Sequence, residues 1–553
     1  MKGVFVGIDV GGTHTDGVAV AGGRIVHKVK VPTRSDDLRG CTLEALGALL
    51  EELSPTAVTR VVLSTTLVTN AVVQGDLDPI GTLLCAGPGI DPGLHAPGGD
   101  TRVVAGAVDH RGREITPLDE AAVIEAVAGF RAAGIHTLAV VGKFSVRNPT
   151  HELRIADLVG EGFDAVCLGH TLSGSLNFPR RVATAYLAAG VSRHHRAFVD
   201  AMTSTLEEFG VDAPLYLLRA DGGTQLAQSF RNPAETALSG PAASVMGVEA
   251  LDRVDQDTLA LDIGGTTTDI GLFTAGAPLL EPRGATIGAH RTQIRALFTR
   301  STGAGGDSVV RVENDHLLVG PQRLGPPACL GGVHPTPTDA LVVLGRVLGD
   351  EGAAARSLEP LARVLGVTVE QAARQVLREL AARIADAARG FVAEVNAQPV
   401  YTIHELLHGH RVTPVRAVAV GGPARALAPY IEEALDLPVH VPNHFDVANA
   451  VGAALARVNL EVNLIADTAR GFVSVPEADL YRKVASSYSL ADAEAEALDA
   501  LATLARRQGL LDPDATREVT ERESFRVIQG YTAAGSIHYL RAQIRPGILG
   551  KVM

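Results

Sequence analysis

The sequence has no tryptophan, and aromatic residues fill only 4% of its 553 positions. Little is left for the stacked-base platforms that hold single-stranded nucleic acids. An excess of basic charge is missing too. The formal net charge is −13, whereas a nucleic-acid partner calls for a basic face. The four cysteines, Cys41, Cys85, Cys167 and Cys329, are far apart and form no C-x-x-C pair. No disulfide framework is expected, and a reducing cytoplasm fits. There is no run of about 18 apolar residues and no apolar signal region before the first strand, so neither a membrane span nor a membrane partner is expected.

The hydrophobic share is 46% and the charged share 20%, enough for a substantial core spread over two large domains and a small one. One stretch is written twice. Asp9-Val-Gly-Gly-Thr-His-Thr-Asp16 falls on Asp262-Ile-Gly-Gly-Thr-Thr-Thr-Asp269. Each copy is a short apolar run ending in Asp, a Gly-Gly-Thr turn and an alternating run, which predicts two antiparallel strands. In such a turn, backbone N–H groups at Gly11, Gly12, Gly264 and Gly265 can converge on an anion. The hydroxyls of Thr13, Thr15, Thr266 and Thr268, with Thr267 between them, are expected to add donors. Asp9 and Asp262, at the strand ends, are placed to hold Mg²⁺ through water beside phosphates. Two such turns suggest a nucleoside triphosphate gripped between duplicated halves. His14 stands in the first turn, either facing the site or packing.

Elsewhere, apolar strands such as Thr137–Val141 alternate with amphipathic helices, an α/β pattern. Strand Arg60–Leu63 runs into the hydroxyl-rich stretch 64–70, readable as a helix cap or as ligand contacts. Gly303, Gly305 and Gly306 mark a third glycine loop, with Gly305 and Gly306 taken as phosphate contacts. Strand Arg416–Val420 feeds Gly421-Gly422-Pro423 and a helix to Leu435, an entry where adenosine can approach the backbone. Long helices are expected over Arg180–Leu206, Val369–Val395 and Ser487–Gln508, and 321–337 is a Pro/Gly-rich loop. The predicted division is 1–230, 231–465 and 466–553, the last a small strand-containing cap. His404-Glu-Leu-Leu-His408, followed by His410, matches a zinc-protease helix pattern but lacks an evident third ligand beyond Glu432 or Glu433. Lys143, Arg147 and Asp109 read as surface loop residues, and Cys329 as buried.

The paired turns, the glycine loop and the Val-Gly-Gly-Pro entry resemble the actin, heat-shock-70 and sugar-kinase superfamily. That resemblance implies two ribonuclease-H-like halves closing on ATP. GIDVGGTHTD, STTLVTNAVVQG, DHRGREITPLDE, LSGPAASVMG, DIGGTTTD, GAGGDS, PPACLGG and AVGGPA, in order over roughly 3–460, look like the hydantoinase A/oxoprolinase family. The resemblance implies ATP-dependent phosphorylation of a cyclic amide or ketone oxygen, with a second subunit of hydantoinase B type. An unstrained lactam is a poor electrophile, and O-phosphorylation repairs that. Asp9, Asp262 and His14 would be the catalytic residues, and ATP with Mg²⁺ the cofactors. The sequence departs from the family at His14 (usually Phe), at Leu218-Arg-Ala-Asp-Gly-Gly (usually Gln-Ser-Asn-Gly-Gly) and at Asp307 (often Gly), which bears on the substrate. A small-molecule kinase and an ATP-driven chaperone-like or assembly protein are the other readings of the same fold.

Overall fold

The computed structural model describes residues 3–34, 36–314, 316–398, 411–508 and 516–553. The His404–His410 cluster lies outside the described residues.

The chain opens with the predicted meander: β1 (Val4–Val10), β2 (His14–Ala21) and β3 (Arg24–Pro32). Helix α1 (Leu38–Glu51) follows, its first turn capped by the Asp37 carboxylate on the Gly40 amide. β4 (Val58–Ser64) then enters beside β1, in parallel, and α2 (Leu67–Gln74) leaves from its end. Both strands are buried along nearly their whole length, as strands in the middle of a covered sheet are.

An inserted domain comes next. Its sheet is wholly parallel and built from β5 (Ile80–Cys85), β6 (Asp100–Val103), β7 (Thr137–Gly142) and β8 (Ala165–Leu168), in the order β8-β7-β5-β6. The long helix α3 (Phe178–Glu208) leads back to β9 (Leu215–Leu218) and β10 (Thr224–Leu226). These complete the first sheet in the order β10-β9-β4-β1-β2-β3.

After α4 (Ser239–Leu251) the arrangement repeats. β11 (Thr258–Ile263) and β12 (Thr268–Thr274) form the second hairpin, extended by β13 (Ala277–Pro278) and β14 (Thr299–Thr302), both antiparallel to β12. Past α5 (Val369–Asn396), which opens on a Thr368/Gln371 capping box, β15 (Arg416–Val420) lies parallel to β11 as β4 does to β1. Helix α6 (Ala424–Leu435) and β16 (Val439–His440) close this half. Antiparallel hairpin plus parallel neighbour thus occurs twice.

The next helix, α7 (Ala448–Leu455), crosses to the first half. A Cβ on Gly7 of β1 would stand 2.2 Å from the Ala450 carbonyl oxygen, and one on Gly452 2.1 Å from that of Ala243 in α4. Three backbones therefore meet without intervening side chains. The rest of the chain is a five-stranded antiparallel sheet: β17 (Leu460–Asp467), β18 (Phe472–Val475), β19 (Leu480–Lys483), β20 (Arg517–Gln529) and β21 (Thr532–Ile544), in the order β19-β18-β17-β21-β20. Helix α8 (Leu490–Arg507) covers it. β17 runs across the division expected at 465/466, and the sheet packs on Val62 and Tyr216 of the first half. Among the described residues, no helix is long and apolar enough to cross a membrane.

Candidate functional site

Both hairpins are closed by the same backbone bond. The Gly11 amide donates to the His14 carbonyl (3.0 Å) and the Gly264 amide to the Thr267 carbonyl (2.9 Å). Register places Asp9 opposite Asp16, and Asp262 opposite Asp269. The turns abut: a Cβ on Gly265 would stand 3.0 Å from the Thr13 hydroxyl and 2.6 Å from Asp307 Oδ2. Asn449 lies beside both strand-end carboxylates: its amide donates to Asp262 Oδ2 at 2.9 Å, and it lowers the pKa of Asp9 against the repulsion of Asp16 and Asp262.

Their settings differ. Asp9 is 4% exposed, and burial pushes its carboxyl up to about 7, with hydrogen bonds from Ser64 and Asn449 pulling the other way and Asp16 and Asp262 adding repulsion. Among the described residues its Oδ1 has no hydrogen-bonding partner. Asp262 Oδ2 is held by the Ser244 hydroxyl (2.6 Å) and the Asn449 amide (2.9 Å). Asp16 is paired with Lys30 at 2.6 Å. Asp269 faces Ser301 and is pushed up to about 7 by burial and by Asp262.

An orphaned, buried carboxylate oxygen among like charges suits a divalent cation, which would relieve that repulsion. Among the described residues there is no group of three or more His, Cys, Asp or Glu able to hold a metal. The pair Asp9 and Asp262 is compatible with the way Mg²⁺ binds, through one or two carboxylates, waters and phosphate oxygens.

Two expectations need correction. Strand alternation turns Thr15 and Thr268 inward, where both are fully buried. Thr15 Oγ1 pairs with Thr33 Oγ1 at 3.0 Å and the Thr268 hydroxyl donates to the Ala304 carbonyl, so neither is a phosphate donor. The Gly305–Gly306 loop braces the second turn instead of offering its amides. Gly306 N–H donates to Gly264 O (3.0 Å), Asp307 N–H to Gly265 O (2.6 Å) and Gly305 N–H to the Ser308 hydroxyl (2.9 Å). Gly12, by contrast, is exposed with open space around it, and Thr13, Gly265, Thr266 and Thr267 remain partly exposed.

Gly421 has φ +93°, and a Cβ there would stand 2.3 Å from the Ile263 carbonyl oxygen and 2.6 Å from Asp262 Oδ1. It is the tight step that brings the start of α6 beside the second turn, whereas Gly422 has free space where a ligand can approach. His14 is exposed, and its pKa is lowered by partial burial and by Lys30, against the pull of Asp16 and Asp307. It thus stands near the rim of both turns. Asp307 is bound by Thr338 (3.1 Å) and faces Arg323 at 3.4 Å.

Ser244, Asn449, Arg323 and Thr338 were not singled out from the sequence. Asp16 and Asp269 could have been, because the duplicated motif aligns them. Lys143 donates to the Pro88 carbonyl, Arg147 to the Tyr539 hydroxyl, and Asp109 pairs with Arg113. Lys143 and Asp109 are spent on loop structure, and Arg147 ties the inserted domain to the C-terminal sheet. Cys329 is buried and pushed up to about 12, mainly by desolvation, which leaves no nucleophilic thiolate.

Duplicated halves that each present a glycine turn and an acidic strand end to the other define an actin-like ATPase fold. Two solved structures share it: a nucleotide-free acetone carboxylase (TM-score 0.70, 19% identity, 98% of this chain and 88% of that one) and the ATP-dependent caprolactamase of Pseudomonas jessenii (0.71, 20%, 97% and 87%). The chain belongs to the hydantoinase/oxoprolinase family, whose model matches residues 181–462, with the model of its N-terminal region on 5–162. Curated relatives include the caprolactamase subunit alpha of Pseudomonas jessenii, 27% identical over 66% of this chain and 60% of that protein. Another is the acetophenone carboxylase gamma subunit of Aromatoleum aromaticum, 29% identical over 62% and 53%. The 5-oxoprolinase of Saccharomyces cerevisiae is 28% identical over 63% of this chain and 28% of its own. The matched region thus spans 60% or less of these relatives' own lengths.

Proposed function

We propose that this chain binds Mg·ATP between the two turns and phosphorylates the carbonyl oxygen of a cyclic amide, such as a hydantoin or oxoproline, activating it for hydrolysis. The observation that carries this reading is the facing pair of glycine turns, with Asp9 Oδ1 unanswered between them. Gly12 and Thr13, with Gly265 and Thr266, line the phosphates, and Gly422 leaves room for adenosine. Asp9 and Asp262 hold the cation, which when bound supplies charge neutralisation for the phosphates. In such chemistry the protein's contribution is alignment of acceptor and phosphoryl group, and the braced second turn supplies a rigid side for it. The amide oxygen forms the new P–O bond as the bond to ADP breaks. Water adds to the activated carbon, and the ring C–N bond breaks with the nitrogen leaving as a protonated amine. A second water hydrolyses the acyl phosphate so formed to a carboxylate and inorganic phosphate.

The chain is read as the ATP-binding subunit, with a second chain of hydantoinase B type supplying the hydrolytic step. The relatives named as alpha and gamma subunits support that reading. The acetophenone carboxylase relative favours one alternative, a ketone oxygen activated for bicarbonate. ATP turnover against a panel of cyclic amides and ketones, with and without bicarbonate and a co-purifying partner, tests both, read by phosphorus NMR. The expected result is ADP and inorganic phosphate released in step with ring opening. Turnover indifferent to every amide and ketone would overturn the reading, as would a stable phosphorylated product.

A further inference from the structure

The sequence departs from the family pattern in two groups of residues, and the structure separates them. Arg219 lies on the wall of a cavity of about 560 Å³, where the inserted domain, the second half and the C-terminal sheet meet. It pairs there with Asp221 at 3.0 Å. His14 and Asp307 belong instead to the junction of the two turns. A Cβ on Gly265 would stand 2.6 Å from Asp307 Oδ2 and 3.0 Å from the hydroxyl of Thr13, the residue before His14. A carboxylate of the second half and a hydroxyl of the first thus crowd the point where the turns abut.

Arg323 completes this group. Its Nη2 faces Asp307 Oδ2 at 3.4 Å, longer than the roughly 2.7–2.9 Å of a charge-assisted hydrogen bond. The guanidinium is under-used. Its Nε is buried without a partner, and among the described residues neither Nη1 nor Nη2 makes a hydrogen bond, although the side chain is 27% exposed. Its place is nonetheless fixed. Val309 N–H donates to the Gln322 carbonyl (2.9 Å) and Gly320 N–H to the Val309 carbonyl (2.8 Å), which pins the chain before Arg323 beside the loop that braces the second turn. Asp307 is fixed as well, with Thr338 Oγ1 at 3.1 Å from Oδ1 and its own amide on the Gly265 carbonyl. Burial and Lys30 lower the pKa of His14, and Asp307 and Arg323 act on it from the other half in opposite directions. An anion between the turns would be repelled by Asp307, and Arg323 is a cation placed to offset that charge.

We propose that Arg323 is a catalytic residue of phosphoryl transfer, binding the oxygens of the γ-phosphoryl group as it passes to the substrate carbonyl, and that Asp307 positions it. A planar guanidinium matches phosphoryl oxygens in pairs and stays charged, so it neither gives nor takes a proton. The bond from phosphorus to ADP breaks as the bond to the carbonyl oxygen forms, and Arg323 stabilises the charge on the three equatorial oxygens. This rests on the reading of the chain as an amide-activating ATPase.

The test separates ground state from transition state. Mg·ADP and Mg·ADP with aluminium fluoride, a mimic of the transferring phosphoryl group, are titrated into wild type, Arg323→Gln and Arg323→Lys. Wild type is expected to bind the fluoride complex at least about 10²-fold more tightly than Mg·ADP. Arg323→Gln should keep the Kd for Mg·ADP within about threefold and weaken the fluoride complex about 10²-fold or more. Arg323→Lys, which keeps the charge and loses the fork, should fall between the two. In amide-stimulated turnover with the partner present, kcat of Arg323→Gln should drop by about 10³-fold and recover in part with added guanidinium ion. Wild-type affinity of Arg323→Gln for the fluoride complex would overturn the inference and leave the proposed function intact. Equal weakening of both complexes would overturn the catalytic role, because a structural support affects both alike. Wild type that binds neither complex would overturn the proposed function, and this inference with it.

Discussion

The two hairpins are duplicates in backbone and differ in the partners of their carboxylates. Both close on the same amide-to-carbonyl bond, and both set an Asp at the strand end opposite an Asp on the return strand. In the first, burial pushes the strand-end Asp9 up, and its neighbour Asp16 is raised by burial as well despite its pairing with Lys30. In the second, the strand-end Asp262 is held by Ser244 and Asn449, and its neighbour Asp269 is pushed up by burial. The surroundings differ as well. The second turn is braced by the 302–308 loop, while a Cβ at Gly12 in the first would meet nothing within 4 Å. Duplication preserved the geometry that can grip phosphates, and the flanking elements, not the hairpins, decide which carboxylate stays free for a cation.

The strongest test of that asymmetry is the pair Asp9→Asn and Asp262→Asn. Asp9→Asn should lower ATP turnover by about 10²–10³-fold. Asp262→Asn should cost less, because Ser244 and Asn449 still fix its side chain. Equal losses in steady-state assays would break the comparison.

A smaller but clear effect separates the turns by crowding. Gly305→Ala drives a Cβ to 2.6 Å from the Gly265 carbonyl oxygen, and should destabilise the chain by about 1–3 kcal/mol. Gly12→Ala should leave the melting temperature unchanged and weaken nucleotide binding. Thermal melts and nucleotide titrations of both variants read the difference.

Acidity comes next. A carboxyl whose folded pKa is about 7 against an unfolded value near 3.8 keeps its proton in the native state while the unfolded chain has lost it. Stability of the nucleotide-free protein should therefore fall as pH rises from about 4 to about 7, then level off, each such group contributing on the order of a few kcal/mol at most. Asp9→Asn and Asp269→Asn should each flatten part of that slope in denaturant titrations across the window. A slope left intact by both would show that neither carboxyl carries a proton there.

Smallest of all is His14→Phe. The ring is exposed at the rim of the turns, and its loss should change turnover by less than about tenfold. A larger fall would move His14 into the chemistry.

Much of this was legible because it is local. Apolar runs ending in Asp-x-Gly-Gly-Thr give a strand and a turn within ten residues, and the repeat of the pattern gives the duplication. Helix Ala424–Leu435 could be read from its glycine-proline entry for the same reason. What escaped was long-range or a matter of strand parity. Asn449 reaches Asp262 across 187 residues of sequence, and nothing near it signals that role. Thr15 stands two residues from Thr13, but Thr13 sits in the turn and Thr15 in the strand, where alternation buries it. The cavity beside Arg219 draws its walls from scattered stretches between Thr171 and Gln543, so only the departures at Arg219 and Asp221 hinted at it.

The crossing of α7 onto β1 sets an order on how the chain can mature. Phe5, Val18 and Val20 are covered by Ala450, Val451, Ala454 and Leu455, synthesised roughly 430 residues later. At ribosomal rates of about 5–20 residues per second, that apolar face stays uncovered for roughly 20 to 90 s. The first sheet is thus made long before the helix that finishes it. Through that interval, what shields Phe5 and its neighbours must come from outside the completed fold.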